Sequence, residues 1–134
     1  MLRAGYQLGL RMVQLTYNAQ TTIAAGCTDR TNAGVSNFGR DAIEEMNELG
    51  IIVDTGHCGK QTTLDACELS SQPVVASHTA VEAIGHHDRG KSDEEIQALA
   101  ATGGVIGMVT VPFFLKPSPG ADLNDCLDHV DHIA

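Results

Sequence analysis

Two histidines occupy equivalent places in this sequence. Ile51-Ile52-Val53 leads into Asp54 and His57, and Val74-Val75-Ala76 leads into Ser77 and His78. Neutral imidazole nitrogen is a common zinc ligand, so histidines carried just past two neighbouring strand ends can converge on one ion. Two nitrogens do not fill a zinc site, and only Asp54 offers a carboxylate at a comparable strand end. Asp54 can equally act behind the ligands, as a partner that fixes an imidazole tautomer. The spacing is also compatible with each histidine hydrogen-bonding a neighbouring loop. Arg89, in the run His86-His87-Asp88-Arg89, offers different chemistry. A guanidinium on a loop over the same edge can grip a carboxylate through two parallel hydrogen bonds. Adjacent side chains diverge, so His86 and His87 are not expected to share an ion.

Three further clusters carry weaker signals. Asp128-His129 and Asp131-His132 have i, i+3 spacing on a helix, imitate a ligand set, and read best as a solvated helix face. Cys58 follows His57 and would be a thiolate nucleophile only with a separate base and orienting group, which the sequence does not supply. Asp54-Thr-Gly-His-Cys-Gly-Lys60 resembles a phosphate-binding loop in outline. That motif needs Gly at the Asp54 position and Ser or Thr at the Gln61 position, so nucleotide binding is not expected.

The elements that must position these groups follow from periodicity and caps. Residues 2–10 suit the last turns of a helix, and 12–16 read as a strand ending at Tyr17-Asn18. Residues 19–37 form a loop long enough to be functional or mobile. Ser36 caps a helix through Leu49, with Phe38, Ile43, Met46 and Leu49 on one side and Gly50 closing it. Strand 51–54, helix 61–70 and strand 74–77 come next. Ser92 and Glu95 form a capping box for a helix that stops at Gly103-Gly104. Strand 105–110, a Pro-rich loop over 112–120 and a helix over 122–134 complete the chain. Short apolar strands separated by crossover helices imply an α/β fold with a parallel sheet, and chemistry gathers at the carboxyl edge of such sheets. With no linker or low-complexity tract, residues 1–134 are expected to form a single domain.

Composition narrows the partners. The net charge of −9 argues against nucleic-acid binding, which needs clustered Lys and Arg. No apolar run approaches the roughly 20 residues of a membrane span, and no signal-peptide core is visible at the N-terminus. The four cysteines lack a C-x-x-C pairing, so free thiols in a reducing, cytoplasmic setting are expected.

Several segments together resemble one family. Leu2-Arg-Ala-Gly-Tyr-Gln-Leu-Gly-Leu-Arg11, Gln14-Leu-Thr-Tyr-Asn18, Glu45-Met-Asn-Glu-Leu-Gly-Ile-Ile-Val-Asp54, Ser77-His78 and Asp128-His-Val-Asp-His-Ile133 are similar to the membrane (renal) dipeptidase family of metallopeptidases, in the amidohydrolase superfamily. The resemblance runs over essentially the whole chain. It implies a (β/α)8 TIM barrel with two zinc ions at the carboxyl face of its strands, hydrolysing dipeptides, including some with a D-residue at the C-terminal position. On this resemblance His57 and His78 match the histidine ligands of the fifth and sixth strands. Arg89 matches the arginine that binds the substrate carboxylate. Tyr17 falls where the animal enzymes carry a substrate-contacting histidine.

The family's remaining metal ligands would precede Met1, or in one case follow Ala134. That last residue, an aspartate, is also the expected base, so no catalytic base is expected inside this chain. The chain is therefore expected to be a partial barrel, about strands four to seven, inactive by itself and poor at retaining zinc. A reading of a different class is a non-catalytic half-barrel that folds with a partner or with itself. Open strand edges near 12–16 and 105–110 would favour such self-association, a homodimer included.

Overall fold

Helix α2 (Asn37–Leu49) starts and stops where its sequence dictates. The Ser36 hydroxyl accepts the Gly39 N–H at 3.0 Å, and Gly50 closes the helix in the left-handed region at φ 71°. Ile43 and Met46 are buried beneath it, whereas Phe38 lies 62% exposed and does not join that face. The computed structural model describes residues 1–134. Before α2 come α1 (Leu2–Gln7) and β1 (Met12–Gln14); after it come β2 (Ile52–Asp54), α3 (Lys60–Leu69) and β3 (Val74–Val81). Then follow α4 (Glu82–Gly85), β4 (Gly90–Lys91), α5 (Asp93–Ala101), β5 (Ile106–Met108), α6 (Pro112–Leu115) and α7 (Leu123–Ile133).

Every strand pairing is parallel. β1 pairs with β2, and β2 with the start of β3, while β3 also pairs with β5 and with β4. The fold is thus the α/β, parallel-sheet class expected. β1, β4 and β5 each have a single neighbour, so two edges lie where the sequence places them and the two-residue β4 adds a third. The core beneath the sheet joins Leu15, Val53, Val74 and Ala76 to Ile43, Met46 and Leu99 of the helices. Such burial is the main stabilising term, at about 25 cal/mol per Å2 of apolar surface. All four cysteines are free, and no helix is long and apolar enough to cross a membrane.

Four expectations need correction. β3 runs on to Val81, because Ala80 and Val81 pair with Gly90 and Lys91, so His78 lies within a strand and not beyond it. The strand over 105–110 is pared to Ile106–Met108, and the Pro-rich stretch contains α6, with Pro112 in its first turn. The expected solvated face of α7 is interrupted by His129, which is fully buried. Its Nδ1 accepts the Val81 N–H at 2.9 Å and its Nε2 lies 2.8 Å from the Leu115 carbonyl, so it fastens α7 to β3.

Candidate metal centre

β2 and β3 deliver their histidines by different means. After Asp54 the chain turns, with the Cys58 N–H bonded to the Thr55 carbonyl, and His57 rides on that turn. The His57 carbonyl accepts from the Cys27 N–H at 3.0 Å and from the Thr16 hydroxyl at 3.3 Å, which holds the turn from both sides. His78 depends on an irregularity in β3. Ala76 pairs with Ile106 and Thr79 with Met108, so three steps on β3 face two on β5. This β-bulge inserts one extra residue and re-aims the side chains beyond it. The Ser77 N–H donates to Asp54 Oδ1 at 2.9 Å. The same carboxylate takes the Gly56 N–H at 2.9 Å and the Ser77 hydroxyl at 2.6 Å. Asp54 therefore braces both the bulge and the turn that carries His57.

The two imidazoles meet. His57 Nε2 and His78 Nε2 are 2.8 Å apart. Ser77 gives its only hydroxyl proton to Asp54, so at His78 Nδ1, 2.8 Å away, it acts as acceptor. That places the His78 proton on Nδ1 and leaves its Nε2 lone pair facing His57. Burial, reinforced by the positive charge of Arg89 and by neighbouring His78, pushes the pKa of His57 down to about 4. It is thus neutral near pH 7 and able to donate a lone pair.

Arg89 stands on a loop, as expected, and is buried there. It donates to the carbonyls of Gly56 and, at 3.0 Å, of His78, while its Nε has no partner. A guanidinium carries five N–H donors, so the two carbonyls leave capacity for an anion. A cavity of about 390 Å3 brings together Tyr17, His57, His78 and Arg89, with Val109, Val111, Phe113 and Phe114 on its apolar wall. The Tyr17 ring stacks on that of His57, centroids 4.2 Å apart.

The other candidates fall away. His86 is exposed, and His87 turns its Nδ1 to the Arg89 N–H at 3.1 Å while lining the cavity. Cys58 is buried and its thiol pKa is raised by that burial, which opposes a thiolate role. Lys60 pairs with Glu94 at 2.7 Å, which engages the ammonium that a phosphate loop would use. Sequence reasoning misses Asn18, whose Oδ1 lies 2.6 Å from His57 Nδ1. It also misses Lys91, which is fully buried against Glu95 and donates to the Cys58 carbonyl beside His57. Their only sequence signals are adjacency, Asn18 to Tyr17 and Lys91 to Arg89.

The donor set fits a metal in part. Two nitrogens on one tetrahedral ion at ordinary zinc–nitrogen lengths stand about 3.3 Å apart, about 0.5 Å wider than the 2.8 Å found, so the rings would part slightly to hold one. No third His, Cys, Asp or Glu joins them in a ligand cluster.

The chain as a whole has counterparts among known proteins. The family described as Membrane dipeptidase (peptidase family M19) matches residues 1–134, and the chain belongs to that family. An uncharacterized dipeptidase of Schizosaccharomyces pombe is 35% identical over 99% of this chain, which spans 33% of that protein. The structure of an amidohydrolase from Pseudomonas aeruginosa superposes with a TM-score of 0.92 at 34% identity, covering 98% of this chain and 40% of the other. A metallo peptidase from Rhodobacter sphaeroides, liganded with a phosphinate mimic of the dipeptide L-Ala-D-Ala, gives a TM-score of 0.90 at 25% identity, covering 98% and 40%. The chain thus spans about a third of the length of the curated relatives it matches. Its extent relative to these longer chains is that of a partial barrel.

Proposed function

We propose that this chain supplies the histidine pair and the carboxylate-binding arginine of a zinc-dependent dipeptidase. The observation that carries the reading is the convergence of His57 Nε2 and His78 Nε2, 2.8 Å apart, in the cavity that Arg89 lines. Membership of the membrane dipeptidase family supports it, as does the dipeptide mimic bound by the Rhodobacter relative. Zinc, when bound, would activate a water and polarise the peptide carbonyl. His57 and His78 would hold the metal through Nε2. The free donors of Arg89 would fix the substrate's C-terminal carboxylate, which restricts the site to short peptides. Tyr17, stacked on His57, would contact the substrate while keeping that imidazole in plane.

Two nitrogens fall short of the three protein ligands usual in catalytic zinc sites. By this reading the isolated chain is inactive and holds zinc weakly, and further ligands and the base come from elsewhere. The decisive measurements are zinc retention and dipeptide hydrolysis by purified residues 1–134. Stoichiometric tight zinc with repeated turnover, abolished by His57→Ala, would show that the site is complete as it stands. In a full-length enzyme carrying this segment, Arg89→Ala should raise KM about 10- to 100-fold for dipeptides with a free carboxylate, the loss of a charge-assisted hydrogen bond. Equal kinetics on free and amidated dipeptides, before and after the change, would remove Arg89 from substrate binding.

A further inference from the structure

The geometry points to Asn18 as a positioning residue that sets the tautomer of His57, so that the Nε2 lone pair faces His78. Its side-chain oxygen lies 2.6 Å from His57 Nδ1 and also receives the Cys27 thiol at 3.6 Å. The thiol donates, which selects the carbonyl end of the amide, and a carbonyl oxygen only accepts, so the His57 proton lies on Nδ1.

The amide is held in place by a backbone built for it. Asn18 adopts φ 60°, a left-handed conformation that Asn tolerates better than most residues. Its carbonyl accepts both the Thr28 N–H and the Thr28 hydroxyl at 3.0 Å. Gly26 packs so closely that a Cβ there would stand 1.9 Å from the Asn18 carbonyl oxygen. The long loop after β1 thus closes over Asn18 and fixes the direction of its side chain. His78 is oriented by the Asp54–Ser77 pair; Asn18 does the corresponding service for His57.

The test begins without metal. Long-range 1H–15N spectra of the histidine-labelled, metal-free chain at pH 7.5, carrying His78→Ala so that no second imidazole lies 2.8 Å from His57 Nε2, report which ring nitrogen carries the proton. The expectation is a protonated Nδ1 and a bare Nε2 at His57. Asn18→Gly keeps the left-handed backbone while removing the amide, and should shift His57 toward the Nε2–H form. Asn18→Asp keeps an acceptor and should preserve the pattern seen with Asn18. In the His78→Ala background, a His57 in the Nε2–H form with Asn18 in place, or a pattern unchanged in Asn18→Gly, overturns the assignment. Should Asn18→Gly fail to fold, the Asn18 and Asn18→Asp spectra still decide.

The second readout rests on the dipeptidase reading. Zinc affinity by chelator competition, in a full-length enzyme carrying this segment, should fall about 10- to 100-fold in Asn18→Gly and recover in Asn18→Asp. A loss of affinity in Asn18→Gly that Asn18→Asp does not restore would reduce Asn18 to a loop-shaping role. Failure of the metal reading alone would abolish zinc binding in every variant and leave the tautomer result standing.

Discussion

Lys91 gives the sharpest test of how the site is supported. Its side chain is 2% exposed and that of Glu95 is 3%, and Lys91 Nζ lies 3.1 Å from Glu95 Oε1. The ammonium also donates to the Thr63 hydroxyl at 2.7 Å and to the Cys58 carbonyl at 3.1 Å. Lys91→Met keeps most of the volume but strands the Glu95 carboxylate, which retains only the Ser92 N–H and hydroxyl at 2.9 Å. Breaking one side of a buried pair costs about 3–5 kcal/mol. Against a total stability on the order of 10 kcal/mol that is a large fraction. With a urea dependence of about 2 kcal/mol per M, the unfolding midpoint should drop by about 2 M. Lys91→Met with Glu95→Gln removes the stranded charge and should regain more than half of the loss. A midpoint that moves by under about 0.3 M in Lys91→Met, roughly 0.6 kcal/mol on the same slope, would refute the view that this pair ties β4 to the turn bearing His57.

Two further outcomes follow from the same geometry. In the metal-free chain, His57 has a folded pKa of about 4 against an ordinary 6.5; the unfolded chain therefore takes up this proton first. Its contribution to stability is complete above pH 6.5, declines as the pH falls toward 4 and changes no further below that, so urea midpoints of wild type and His57→Gln compared across pH 4–7 should differ in slope over that window. His129→Leu should cost about 2–6 kcal/mol in chemical denaturation, because the Val81 N–H and the Leu115 carbonyl each lose a buried partner worth about 1–3 kcal/mol; a loss under 0.5 kcal/mol would mean that water or a rearranged α7 satisfies both.

Much of the fold is legible because its signals are local. Ser36 and Gly50 bound α2, and the Ser92–Glu95 capping box starts α5, since caps depend on residues three or four apart. What escapes reading depends on distant partners. Nothing in Thr79-Ala80-Val81 announces that these residues extend a strand, because their partner is a two-residue strand in what reads as a loop. Phe38 has the spacing of a buried residue yet points to solvent, while His129, written among charged neighbours, is drawn inward by two backbone groups that need it. Periodicity describes one helix face; it does not say which unpaired N–H or C=O lies across from it.

The candidate site divides in the same way. His57 and His78 stand out because polar residues after apolar β-branched runs mark strand ends. The geometry that joins them comes from the bulge. Along a regular strand His78 would share a face with Val74 and Ala76, both fully buried against the core. The extra residue between Ala76 and Thr79 breaks that alternation. Gly107 makes the break sterically feasible, since a Cβ there would stand 2.1 Å from the Ser77 carbonyl oxygen, and a glycine inside a short strand is the one sequence mark of so close an approach. The bulge leaves a backbone N–H without a ladder partner, and Asp54 takes it. The carboxylate at the end of β2 is thus not a third ligand. It bonds both the bulge before His78 and the turn before His57, and so couples the positions of the two imidazoles.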